Sequence, residues 1–161
     1  MENDTRALDA LFADASLGAP ENAVGFVLWR LVHRYQREAD RALVPLDLTH
    51  LQFMTLTMAA WLARSGEPVP QAELSRFGDI HPMQLSHMLK ALAGKGLVTR
   101  THSAADVRAK CVEVTAAGRG VLRQALPLVI EVQQRLFGDD GAPGGELLTA
   151  LVRLDQAHLG A

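Results

Sequence analysis

The chain has 161 residues, of which 48% are hydrophobic and 21% charged, with a formal net charge of −2. These proportions are typical of a globular domain and exclude collagen-like, mucin-like and wholly disordered chains. No apolar run approaches the ~18–20 residues of a membrane span, so we expect no membrane partner. The acidic first residues lack the basic start of a secretory signal, and the single cysteine, Cys111, cannot form an internal disulfide. We therefore expect a soluble protein of the reducing cytoplasm.

The charge is distributed unevenly along the chain. Residues 71–114 contain six Lys/Arg and four acidic residues, whereas the remaining residues contain ten Lys/Arg and fourteen acidic ones. A basic middle within an acidic frame is consistent with a local anion-binding face. Ordinary scatter of surface charge explains this feature alone equally well.

The N-terminal third predicts an arm followed by a long helix. Residues 1–19 form a poorly specified arm, in which apolar residues at helical spacing allow a short amphipathic helix. Residues 21–43 predict a long helix that Pro45 ends. Its apolar stripe has a period near that of an α-helix and consists of Val24, Leu28, Leu31 and Tyr35.

The next segment predicts a buried helix over about 50–63. Thr49 and Gln52 form a capping-box pattern directly before an apolar run, which is a helix-start signal. The run is apolar on nearly every face, and such helices are usually buried. Ser65–Pro68 closes it.

A helix–turn–helix follows in the basic middle. A short helix over about 71–77 stops at Gly78, and the next helix runs from Pro82 to about Ala93. Proline is favoured at the first helical position, and the residue before it avoids the α region, so His81 is the predicted N-cap. The predicted core stripe of this second helix is Leu85, Met88/Leu89 and Leu92.

A hairpin and two more helices complete the chain. Residues 97–101 and 110–114 are rich in β-branched residues and predict two strands, joined by the polar tip 102–109. A helix over about 116–137 contains Pro127, which should kink it. We predict its core face from Val121, Ala125, Leu128, Val132 and Leu136. A Gly-rich linker then precedes the last helix. Helix pairs followed by a β-ribbon are typical of a winged helix–turn–helix, a mainly α fold with a small β-hairpin wing.

The ordered motifs resemble those of the MarR (multiple antibiotic resistance regulator) family of winged-helix transcription factors, over about residues 22–158. The resemblance rests on four pieces at family-like spacing: Leu48-Thr49-x-x-Gln52-Phe53, Gln71-Ala72-Glu73-Leu74-Ser75, Leu92-x-x-x-Gly96-Leu97-Val98-x-Arg100, and Asp106-x-Arg108 with Val114-Thr115-x-x-Gly118. One departure is His81-Pro82-Met83, where the family usually carries small hydroxyl residues. A second is the start of the hairpin tip, which lacks lysine and arginine.

The resemblance implies a homodimeric regulator that binds double-stranded DNA, most commonly as a repressor. Residues 20–46 and 116–161 would form the helical dimerisation region, residues 47–115 the DNA-binding domain, and residues 1–19 the arm. A symmetric dimer implies a pseudo-palindromic operator with half-sites about one helical turn apart. The alternative is a winged-helix protein-interaction module that lacks sequence-specific DNA readout.

The candidate DNA-binding residues lie on the second helix of the helix–turn–helix and on the wing. The helix residues off the leucine stripe are Met83, Gln84, Ser86, His87 and Lys90. Gln84 suits adenine, Met83 a thymine methyl group, and Lys90 a phosphate, whereas Ser86 and His87 suit either base or phosphate. The alternative is a solvated helix face.

The resemblance places the wing contact on Arg108, because a guanidinium suits the negative potential of a narrow minor groove. Asp106 would orient that arginine through a charge-assisted hydrogen bond. The alternative is a local ion pair of little energetic value. Lys110 lies nearby, and Arg76 and Arg100 are secondary phosphate candidates.

The resemblance also implies a small aromatic acid as effector, bound between the dimerisation region and the winged domain. The candidate residues are Trp29, Arg30, His33, Met54, Met58 and Trp61, with Arg34 as an alternative to Arg30. The alternative is that the methionines and Trp61 are core residues and that His33 is an ordinary surface histidine.

Other chemistries lack support in the sequence. It contains no nucleophile-elbow or phosphate-loop motif, so we expect no enzyme and no catalytic residue. The six histidines form no helical metal-ligand pair, so we expect no metal site and no cofactor. Peroxide-sensing relatives carry a reactive cysteine near the first long helix, and residues 1–43 contain none; Cys111, on a wing strand, is expected to be inert.

Overall fold

The computed structural model describes residues 2–102 and 110–158. The chain divides into two compact units, the first ending at Arg37 and the second beginning at Glu38. None of the helices in the described ranges is both long and apolar enough to cross a membrane.

The first unit consists of α1 (Glu2–Ala15), a 3₁₀ turn (Pro20–Asn22) and the beginning of α2 (Val24–Leu43). The arm is thus a helix through most of its length, and the apolar side chains Leu8, Leu11 and Phe12 of α1 are exposed. Val24, at the start of the predicted stripe of α2, is 73% exposed. The apolar face of α1 and the start of the apolar stripe of α2 are therefore uncovered within the described chain, whereas Leu31 and Tyr35 further along the stripe are half-buried.

The second unit begins with the end of α2 and with α3 (His50–Leu62). The Thr49 hydroxyl accepts a hydrogen bond from the Gln52 N–H at 3.2 Å, and the Gln52 Oε1 accepts one from the Thr49 N–H at 3.3 Å. The predicted capping box is confirmed. As its composition indicates, α3 is the central core helix, with Phe53, Leu56 and Ala59 buried.

The remaining elements are α4 (Gln71–Phe77), α5 (Pro82–Gly94), α6 (Ala116–Phe137), α7 (Glu146–His158) and the strands β1 (Val69–Pro70), β2 (Val98–His102) and β3 (Lys110–Val114). The antiparallel sheet has the order β1-β3-β2. The hairpin β2–β3 agrees with the prediction. The strand β1 was not predicted, because two prolines in a three-residue segment are typical of a linker rather than a strand.

The core face of α6 agrees with the predicted one at Ala125 and Val132, which are buried, but not at the other predicted positions. The buried residues are Gly118, Leu122, Ala125, Val129 and Val132, whereas Val121, Leu128 and Leu136 are only half-buried. Adjacent faces of this helix are also apolar: Leu126 and Ile130 are exposed. Periodicity alone therefore could not select the face that packs. The helix continues through Pro127 without ending.

The junction of β3 with α6 is held by side-chain and backbone contacts of one residue. The Thr115 hydroxyl donates to the Gly96 carbonyl at 2.7 Å and accepts from the Gly118 N–H at 3.0 Å, which caps α6. The Thr115 N–H donates to the Leu97 carbonyl at 3.1 Å. Thr115 thus joins the start of α6 to the turn that follows α5.

Candidate nucleic-acid interface

The turn between α4 and α5 positions the start of α5, which is the candidate recognition helix. The Ser75 hydroxyl donates to the Ile80 carbonyl at 2.5 Å, and the Ile80 N–H donates to the Ser75 carbonyl at 3.0 Å. The His81 Nδ1 accepts from the Met83 N–H at 3.3 Å. The prediction that His81 is the N-cap and Pro82 the first helical residue is confirmed.

The two faces of α5 differ sharply in exposure. Leu85, Leu89 and Leu92 are all 0% exposed, so the leucine stripe is the core face, as predicted. The opposite face presents polar and apolar side chains to solvent along the first three turns. Met83, Gln84, His87 and Lys90 are exposed, and Ser86 is half-buried. The structure thus brings the predicted base-contact candidates together on the solvent side of one capped helix.

The C-terminal end of α5 is fixed by Lys95, which the sequence patterns did not single out. The Lys95 Nζ lies 3.1 Å from the Asp47 Oδ2 and donates to the Gln52 Oε1 at 3.1 Å and to the Asp47 carbonyl. Because Asp47 and Gln52 flank the N-cap of α3, these bonds join the end of α5 to the start of α3. The Lys95 ammonium group is therefore engaged in contacts within the protein.

The secondary phosphate candidates lie in different settings. Arg76 is exposed in the last turn of α4, and Lys110 is exposed at the base of the hairpin. Arg100 is half-buried on β2, where its Nη2 donates to the Gln71 Oε1 at 3.1 Å. Arg108 and Asp106 lie outside the described residues. Of the wing candidates, Lys110 is thus the one that the structure locates.

Three of the effector candidates lie in the first unit, on α2, and interact with their neighbours in the chain. The His33 Nδ1 lies 2.7 Å from the Trp29 carbonyl oxygen, and the two rings are 4.3 Å apart at their centroids. The Arg30 guanidinium lies 5.6 Å from the centroid of the Phe26 ring and 3.8 Å from the Glu21 carboxylate. Trp29 is exposed.

The other three effector candidates lie in the second unit, on α3. Met58 is buried in the core and Met54 is half-buried. Trp61 is exposed, and the Arg64 guanidinium lies 3.1 Å from the centroid of its ring. None of these three lines the cavity of about 540 Å³ in this unit, which is bordered instead by residues that sequence reasoning missed, among them Arg64 and Arg119.

Within the described ranges, no three His, Cys, Asp or Glu residues are grouped so that they could hold a metal ion. Cys111 is buried on β3, where it pairs with Pro70 of β1 and Thr101 of β2. Burial limits the access of oxidants to this thiol.

Comparison with known proteins places the chain in a family. A model described as a winged helix DNA-binding domain matches residues 48–118. The uncharacterized HTH-type transcriptional regulator YdcH of Bacillus subtilis is 32% identical over 123 residues, which cover 76% of this chain and 84% of YdcH.

Two solved structures show the same architecture. CouR from Rhodococcus jostii RHA1, bound to p-coumaroyl-CoA, is 26% identical with a TM-score of 0.73, covering 88% of this chain and 94% of CouR. A cysteine-to-serine mutant of MarR from E. coli, complexed with operator DNA, is 25% identical with a TM-score of 0.68, covering 84% of this chain and 93% of that one. The homologues and the fold are those of transcriptional regulators, not enzymes. With its capped recognition helix and three-stranded wing sheet, the chain belongs to the MarR family of winged helix–turn–helix transcriptional regulators.

Proposed function

We propose that this regulator binds a pseudo-palindromic operator as a homodimer and acts as a ligand-responsive repressor. The observation that carries the proposal is the division of α5 into a fully buried leucine stripe and an exposed face with Gln84, His87 and Lys90. A helix held in this way can present its N-terminal half to base edges in a major groove. The proposal includes a location in the cytoplasm, together with the DNA.

On this proposal, the side chains of α5 read bases near Pro82 and contact phosphates towards Lys90. Gln84 forms a bidentate pair with adenine, and Met83 contacts a thymine methyl group. Ser86 and His87 contact base or phosphate, and Lys90 and Arg76 neutralise phosphates. Arg108, oriented by Asp106, enters the minor groove beside Lys110. Arg100 contributes less, because it is half-buried on β2.

The dimerisation region is assigned to residues 20–46 and 116–161, with residues 1–19 as the arm and 47–115 as the DNA-binding domain. Exposed apolar side chains on the terminal helices support this division, since contiguous exposed apolar patches mark interaction surfaces. They include Trp29 and Val32 on α2, Leu126 and Ile130 on α6, and Leu151 and Leu154 on α7. Repression follows where such a dimer occupies DNA that the transcription machinery needs.

An effector is supported by CouR, whose structure contains p-coumaroyl-CoA. For this chain the proposed effector is a small aromatic acid, with Trp29, Arg30, His33, Met54, Met58 and Trp61 as candidate contacts. Ligand that binds only the folded state raises the Tm. A thermal-shift screen with aromatic acids tests the proposed effector. If none of the acids raises the Tm, this part of the proposal is refuted.

The experiment that tests DNA binding is selection of bound duplexes from a random pool, followed by a titration of the selected site at several salt concentrations. We expect an enriched inverted repeat and an affinity that falls steeply with salt. A protein-interaction module would enrich no sequence. Sedimentation of the free protein tests the dimer, and a monomer at micromolar concentration would contradict it.

A further inference from the structure

A cavity of about 540 Å³ opens in the second unit, between the C-terminal end of α3 and the junction of β3 with α6. Its volume falls within the ~300–1,000 Å³ that is usual for small-molecule sites. All of its lining residues lie in the second unit, and none of them is one of the six effector candidates named above.

The cavity arises because β1 is short. Val69 and Pro70 pair with Val112 and Cys111 of β3, and β1 begins only at Val69, so the residues before it are not paired with β3. The segment between α3 and β1 turns at Gly66, whose φ of +84° lies in the left-handed region that favours glycine. Glu113 and Val114 therefore have no partner strand on the β1 side, and the space left beside them is the cavity.

The lining combines an apolar surface with charges of both signs. Its apolar part comes from three elements, namely α3, the approach to β1, and β3: Ala60, Ala63, Pro68, Val112 and Val114. The charged residues are Arg64, Arg119, Glu67 and Glu113. Within the part of the chain that the structure describes, no ion pair engages any of these four side chains.

Each arginine is nevertheless held in place. The Arg64 Nε donates to the Trp61 carbonyl at 2.9 Å, while its guanidinium lies over the Trp61 ring. The Arg119 Nη1 donates to the Val114 carbonyl at 2.8 Å. A guanidinium has several N–H donors, so both groups can still bind a carboxylate, and their fixed positions lower the entropic cost of doing so.

We propose that this cavity binds a free amino acid with a large apolar side chain. Its carboxylate pairs with Arg64 and Arg119, and its ammonium group pairs with Glu67 and Glu113. Its side chain lies against the alanine, valine and proline surface. A simple carboxylic acid would not neutralise the two glutamates, and a simple amine would not neutralise the two arginines. We therefore expect both to bind more weakly than an amino acid, because charge complementarity sets specificity in such a site.

The site joins three elements of the second unit, one of which is a strand of the wing hairpin. A bound amino acid connects the end of α3 and the first turn of α6 to β3, which is a strand of the wing hairpin. On this proposal the bound amino acid favours one position of β3. It changes operator affinity by as much as its own affinity differs between the DNA-bound and the DNA-free protein. This regulatory consequence, unlike binding itself, rests on the proposed DNA-binding function.

Calorimetric titration of the full-length, DNA-free protein tests the site directly. The probes are L-phenylalanine, L-tryptophan and L-leucine, with 3-phenylpropionate and phenethylamine as analogues of phenylalanine that lack the ammonium group and the carboxylate, respectively. We expect at least one amino acid to bind and the analogues to bind about tenfold or more weakly. If no amino acid binds, or if 3-phenylpropionate binds as well as phenylalanine, the proposal is overturned.

Two substitutions locate the binding. Arg64→Met and Glu67→Gln each lower the affinity for the amino acid by about tenfold or more. Both residues are exposed, so circular dichroism should show unchanged folding. Arg123→Met is the matched control: this arginine is exposed one turn beyond Arg119 on α6, outside the cavity, and its removal leaves the affinity unchanged. An equal loss in the control variant overturns the assignment.

Operator affinity is measured separately on the same protein preparations. A protein that binds the selected operator but no amino acid refutes this inference and leaves the proposed function standing. A protein that binds the amino acid but no DNA supports the site and refutes the proposed function.

Discussion

Lys95 and Asp47 are separated by 48 positions in the chain, yet the Lys95 Nζ lies 3.1 Å from the Asp47 Oδ2. The same ammonium group donates to the Gln52 Oε1, which also accepts from the Thr49 N–H in the capping box of α3. The end of the recognition helix and the start of α3 therefore share one polar cluster. We therefore expect Lys95 to position the helix rather than to contact phosphate.

Lys95→Met tests that distinction. The substitution removes an ion pair with the exposed Asp47 carboxylate and two hydrogen bonds, so we expect it to destabilise the fold by about 1 kcal/mol. We expect operator affinity to fall severalfold with an unchanged dependence on salt, because no phosphate contact is lost. Lys90→Met is the comparison: it should lower affinity and reduce the slope of log K against log salt by about one. Equal slope changes in the two variants would show that Lys95 contacts DNA.

Arg108→Ala makes a parallel test of the wing. The resemblance to the family assigns this arginine to the minor groove, where its positive charge is attracted by the surrounding phosphates. Its removal should weaken operator binding and reduce the slope of log K against log salt by about one, because about one counterion fewer is released on binding. A fluorescence titration at several salt concentrations measures both quantities, and an unchanged slope would contradict the assignment.

Gly118→Ala should destabilise the protein although alanine is the better helix former. A Cβ at this position would lie 2.1 Å from the Leu97 carbonyl oxygen and 3.0 Å from the Val114 Cγ1. The carbonyl cannot move freely, because it accepts hydrogen bonds from Thr115. Gly120→Ala is the matched control in the same helix, since a Cβ added there would meet no atom of the described chain within 4 Å.

Chemical denaturation distinguishes the two glycines. We expect a loss of ~1–3 kcal/mol in the free energy of unfolding for Gly118→Ala, as for an overpacked core site. For Gly120→Ala we expect a gain of up to ~1 kcal/mol from helix propensity. A gain in both variants would mean that the start of α6 does not approach Leu97 so closely.

Leu89→Ala and Gln84→Ala should separate stability from DNA recognition within α5. Leu89 is fully buried, so its truncation should lower the free energy of unfolding by ~2–5 kcal/mol. Gln84 is exposed, so its truncation should leave stability within ~0.5 kcal/mol and cost ~1–3 kcal/mol of operator binding. Unfolding curves and operator titrations measure the two effects. A large loss of stability for Gln84→Ala would show that Gln84 does not lie on the solvent face of α5.

His50 should make stability depend on pH. Burial lowers the pKa of its imidazole below the usual value of 6.5, and the Asp40 carboxylate opposes the shift. The unfolded chain then binds a proton more readily than the folded one, so this contribution is complete above about pH 6.5 and is lost as the pH falls through the folded-state pKa. His50→Gln should flatten the decline of Tm between about pH 7 and pH 5. An equal decline in both proteins would exclude His50 as its source.

The helix starts could be predicted from the sequence because their bonds are local. The Thr49 and His81 side chains each cap a helix through a backbone N–H two or three positions further along the chain. The leucine stripe of α5 was also predictable, since its opposite face is mainly polar and leaves a single apolar choice. These local patterns were sufficient to indicate the winged helix–turn–helix and the exposed candidates from Met83 to Lys90.

Features made by contacts between distant segments were not predictable in the same way. The face that α6 buries is chosen by what packs against it, because apolar residues such as Ile130 occur on other faces too. The strand β1 exists only because β3 offers it a hydrogen-bonding edge. Nothing near Lys95 in the sequence identifies Asp47 as its partner. Motif and periodicity thus determined the elements and the family resemblance, whereas the packing face, the third strand and the charged cavity depended on which remote residues the folded chain brings together.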